Sequence, residues 1–77
     1  MNGVEVLDVA PDSAAETAGL HIGHVITVVG GRHIRSTEDL ADVLAQNGPG
    51  TRINVAYLFK TNLGWMPSQT VVVLTNR

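Results

Sequence analysis

Three histidines, His21, His24 and His33, lie in the first half of the chain, and the first two are three residues apart. Imidazoles at that spacing raise the question of zinc. A zinc site needs three or four converging ligands, the chain has no cysteine, and His21 and His24 flank Gly23 instead of sharing a helix face. The expectation is solvent-facing turn residues and no bound metal. Ser13, Ser36 and Ser68 supply, with the histidines and aspartates, the letters of a hydrolytic triad. No G-x-S-x-G elbow occurs, and Ser13 and Ser36 stand where helices begin, so the chain is read as non-catalytic. Gly30-Gly31 belongs to neither G-x-G-x-x-G nor G-x-x-x-x-G-K-[ST], which leaves nucleotide binding without support. No cofactor is expected.

The residues best placed to bind something lie in "STEDLADVLAQNG", residues 36 to 48. Leu40, Val43 and Asn47 recur at helical spacing and face a core, which puts Thr37, Ala41 and Leu44 on an adjacent stripe. That stripe lines a peptide groove, or it is a solvated helix edge with Leu44 turned into the core.

Elements must position these residues. "GVEVLDV", residues 3 to 9, is β-branched and partly alternating and predicts a strand. Pro11 and Asp12 break it, Ser13 or Asp12 caps a short Ala-rich helix, and Gly19 ends that helix with Leu20 folded back on it. "HVITVVGG" is a buried strand leaving through a glycine turn, and "RHI" is a short strand after it. Ser36 caps the second helix, Thr37 to Gln46, with Asp39 completing a shortened capping box, and Gly48-Pro49-Gly50 stops it. "TRINVAYLF" and "QTVVVLT" are two further strands joined by "KTNLGWMPS", long for a hairpin loop and so a bulged turn or a functional one. Trp65 is expected to fold onto the core. This order predicts an α+β or mostly β domain: a bent antiparallel sheet of five to six strands, or a partly open barrel, capped by two helices.

The stretch "GVEVLDVAPDSAAETAGLHIGHVITVVGGRHIRSTEDLADVLAQ" resembles the PDZ family of bacterial type, whose pattern runs "V.P.SPA..AGL..GD.I..VNG..V.....L...L". Pro11, Ser13 and Ala14 fall on its strand-to-helix turn, Ala18-Gly19-Leu20 on its helix cap, Val25 and Ile26 on its central strand, and Ser36 to Gln46 on its ligand-flanking helix. The closing strand pair resembles a circularly permuted arrangement. The resemblance implies a peptide- or C-terminus-binding module that adds its ligand as a strand beside the second helix, with Thr37, Leu40, Ala41, Leu44, Val4 and Val6 as binding residues. It implies a parent protein that is a bacterial protease, HtrA-type or intramembrane metalloprotease, and a periplasmic or membrane-associated setting. Two departures stand out. His24 replaces the usual acidic residue after Gly23, and no "GLGF"-like loop precedes "GVEVLDV". The candidate carboxylate loop within the chain is then Leu63-Gly64-Trp65 of "NLGW".

Composition bounds the alternatives. All 77 residues form one domain, and the abrupt strand at the start implies that it is cut from a larger protein. A net charge of −2 offers no field for nucleic acid, and no apolar run reaches the roughly 18 residues a membrane span needs. Two further readings remain: a structural or autoinhibitory element with an incomplete groove, self-associating through the first strand, and a stand-alone adaptor.

Overall fold

The computed structural model describes residues 3–74. Five strands and two helices follow one another as β1 (Val4–Glu5), α1 (Ala14–Thr17), β2 (Val25–Val29), β3 (Arg32–His33), α2 (Thr37–Ala45), β4 (Arg52–Thr61) and β5 (Gly64–Val73). All pairings are antiparallel, in the order β1-β2-β4-β5, with β3 also paired to β2. The α+β architecture expected from the sequence, a five-stranded antiparallel sheet with two helices, is the one observed.

Local chemistry explains each element. Ser13 Oγ accepts the Glu16 amide at 3.2 Å, which satisfies one orphan donor of the four-residue helix, and Glu16 Oε1 accepts the Asp12 amide at 3.1 Å, which ties down the residue before the cap. It ends in a Schellman cap. The Gly19 amide donates to the Glu16 carbonyl and the Leu20 amide to the Ala15 carbonyl, both at 3.0 Å, with Gly19 at φ +90° and Leu20 only 4% exposed. In α2, Ser36 Oγ accepts the Asp39 amide, while the Asp39 carboxylate accepts the Arg35 amide and pairs with Arg32. Asn47 Nδ2 closes the other end on the Val43 carbonyl at 2.6 Å.

The core lies between the sheet and the helices. Leu20, Ile26, Val29, Ile34, Val43, Ile53, Val55 and Val72 form one buried cluster, against which Val4, Val6, Leu40 and Tyr57 pack. A register shift between Ile26 and Val28 along β4 bends β2, and Thr27 Oγ1 donates to the Ala56 carbonyl there.

Two expectations are corrected. The first strand is Val4–Glu5, not residues 3 to 9, although the Val6 amide still donates to the His24 carbonyl and the Val6 carbonyl accepts from Gly23. Among the described residues no strand pairing continues from Leu7 to Val9, and Leu7 is 75% exposed. The long connection "KTNLGWMPS" is instead mostly strand: pairing runs without a break from Arg52↔Val73 to Thr61↔Gly64, leaving a two-residue turn at Asn62-Leu63. Pro67 signals a loop in the sequence, yet it fits β5 because an edge strand can leave an amide position unused on its outer side.

Candidate functional site

An apolar hollow of about 240 Å³ opens between α2, α1 and the sheet. Its α2 wall is Leu40 and Leu44, one helical turn apart; Ala14 and Ala15 of α1 form a second wall, and Ile26, Val29, Ile53 and Val72 the floor. Leu44 is 40% exposed at its mouth. A hollow lined this way has little to offer a charged ligand and favours an aliphatic group, whose burial is worth about 1.5–3 kcal/mol.

The expected binding residues divide around this hollow. Leu40 and Leu44 line it, whereas Thr37 and Ala41 are exposed on the shoulder of α2 and do not. Val4 and Val6 pack on the same core cluster from β1 but lie outside the lining. The alanines of α1 are the wall that sequence reasoning missed; the only available signal was their place on a helix too short to show periodicity.

Leu63-Gly64-Trp65 is at the far tip of the β4–β5 hairpin and contributes nothing to the hollow. Leu63 is 95% exposed, and its amide already donates to Thr61 Oγ1 at 3.1 Å, which in turn donates to the Gly64 carbonyl. Trp65 stands opposite Lys60 and outside the core cluster, 40% exposed, because the continuous hairpin register carries it outward.

The histidines are arranged by packing. His24 stacks on Tyr57 with ring centroids 4.8 Å apart, meets His21 edge-on at 5.4 Å, and accepts the His21 amide at Nδ1. Burial, and secondarily the nearby His21, pushes its pKa below the ordinary 6.5. His33 lies apart from them on β3. Another hollow, about 330 Å³, is lined mainly by polar groups including Arg32, Arg52, Asn47 and Asn54, and Arg32 is already paired with Asp39 and Asp42.

Residues 5–57 match the PDZ domain family. The chain belongs to that family. This PDZ domain is 41% identical over 56 residues, 73% of its length, to a probable periplasmic serine protease do/HhoA-like of Haemophilus influenzae. It is 36% identical over 47 residues, 61% of its length, to serine protease HTRA1 of Xenopus tropicalis. The matched segments cover 12% and 10% of those two proteins. The match supports a protein-interaction module of the kind found in proteases. Among the described residues no helix is long and apolar enough to cross a membrane.

Proposed function

We propose that this PDZ domain is a non-catalytic module that takes up an extended peptide or a protein C-terminus, and that it serves substrate recognition or regulation in a serine protease. The observation carrying this reading is the half-open apolar hollow beneath α2, with Leu40 and Leu44 at its mouth. An apolar ligand side chain entering there replaces contacts that a closed core would have made with itself. The β1 edge supports the strand-addition part: Val6 bonds His24 and Gly23, just ahead of β2, through its amide and carbonyl, so by alternation Glu5 turns its main-chain groups outward. Thr37 and Ala41 flank the ligand from the α2 shoulder, and Val4 and Val6 hold β1 against the core. A periplasmic parent follows the name of the Haemophilus relative.

An NMR titration with a Val-terminated peptide, as free acid and as amide, tests this. The expected result is binding on the order of millimolar, about −4 kcal/mol, with shifts at Leu40 and Leu44, lost in Leu44→Asp. Shifts that avoid α2, or a Leu44→Asp variant that binds unchanged, would overturn it.

A further inference from the structure

The opposite edge of the sheet carries a second groove. Leu74 donates its amide to the Thr51 carbonyl at 2.9 Å and accepts the Gly50 amide at 2.8 Å, so both its main-chain groups face inward. Antiparallel ladders alternate inward and outward residues. Along β5, Gln69, Val71 and Val73 therefore turn amide and carbonyl outward, while Pro67 has no amide to present. β5 ends the strand order among the described residues. From Asn62 to Leu74 there is no charged side chain of the kind that guards an edge.

A wall runs beside this ladder. Thr70 Oγ1 donates to the Ala18 carbonyl at 2.9 Å and ties α1 to the middle of β5. Between them lies a crevice of about 180 Å³ lined by Asp12, Ala14, Thr17, Ala18, Val71 and Val73. The alanines leave room for a backbone to approach, and Val71 and Val73 remain 43% and 45% exposed.

We infer that the α1–β5 crevice is a second peptide-docking site, for an extended segment of alternating β-branched residues with a lysine or arginine at one end. The extended backbone answers the three outward amide–carbonyl pairs, and β-branched side chains cover Val71 and Val73. The basic residue answers Asp12, whose carboxylate has no ion pair among the described residues. A second copy of β5 answers less of the crevice: residues 62 to 74 carry no lysine or arginine to meet Asp12.

The test uses the peptide Lys-Val-Thr-Val-Thr-Val, acetylated and amidated so that neither chain terminus contributes a charge to binding. Titrated into the ¹⁵N-labelled chain, it should shift the amides of Gln69, Val71, Val73 and Ala18. N-methylation of its alternate amides should abolish those shifts, a control that leaves the protein's fold untouched. Asp12→Asn should weaken the lysine peptide by about threefold, the size of an exposed ion pair, and leave its alanine counterpart unchanged. Absence of saturable shifts on β5, shifts confined to Leu40 and Leu44, or concentration-dependent dimerisation would each overturn the inference. A chain that binds this blocked peptide but no free carboxylate separates the crevice from the hollow beneath α2.

Discussion

At one edge of the sheet, β1 pairs with β2 over two residues and faces outward with Glu5; at the other, β5 runs ten residues and faces outward with Gln69, Val71 and Val73. The short edge is charged and held by a close backbone crossing. The long edge is uncharged, and its defences are Pro67 and the α1 helix tied across it. A free edge attracts any extended chain, so what stands near each surface decides its partner: α2 with its leucines over the apolar hollow, α1 with its alanines along β5. The same main-chain chemistry thus gives two surfaces of different selectivity.

The largest expected effect is at the β1 crossing. A Cβ on Gly3, at φ +154°, would sit 2.6 Å from Val25 Cγ1 and 2.7 Å from the Ile26 carbonyl oxygen. Backbone cannot yield as a side chain tip does, so Gly3→Ala should cost about 2–3 kcal/mol, read from denaturant unfolding. It should abolish binding at the hollow before it affects the β5 crevice. An unchanged unfolding midpoint would show that the short edge is not held by this contact.

Gly19→Ala addresses the other side, since Gly19 caps the helix that walls the crevice. Nothing lies within 4 Å of its added Cβ, so only the positive φ of +90° resists. The expected loss is about 1 kcal/mol, measured by thermal melting, with the blocked peptide losing more affinity than the Val-terminated one. Equal losses for both peptides would mean that α1 does not distinguish the edges.

The smallest effect is electrostatic. His24 accepts the Val6 amide at its carbonyl and packs against His21, Tyr57 and Phe59. Its folded pKa lies below 6.5, so the folded state favours the neutral ring; this stability is present above the unfolded value and lost as pH falls from about 6.5 through the folded pKa. A shallow decline in melting temperature over that window is expected, absent in His24→Asn. Amide exchange should quicken at Val6 and not at Val72, which faces β4; uniform quickening would argue against a local effect at β1.

Local signals in the chain were enough for both helix caps, the Gly19 turn, the buried β2 strand and the α+β class. Ser13, Ser36 and Gly19 act within a few residues of themselves, and such chemistry is readable wherever it occurs. The Leu40/Leu44 wall was half legible: helical periodicity marks a stripe, but the angle between α2 and the sheet selects which residues of that stripe meet the hollow, leaving Thr37 and Ala41 outside it. Pro67 and "KTNLGWMPS" looked like a loop because proline disfavours a strand interior, and only its place at the edge of the sheet makes it a strand residue. Likewise β1 carries the alternation of a seven-residue strand but has a bonding partner for only its first part. The sequence by itself determined the two helices, their caps and the buried β2 strand, because those preferences are set by neighbours along the chain. Tertiary structure alone decided which strands became edges and which helix faces them, because an edge is defined by the partner a strand lacks.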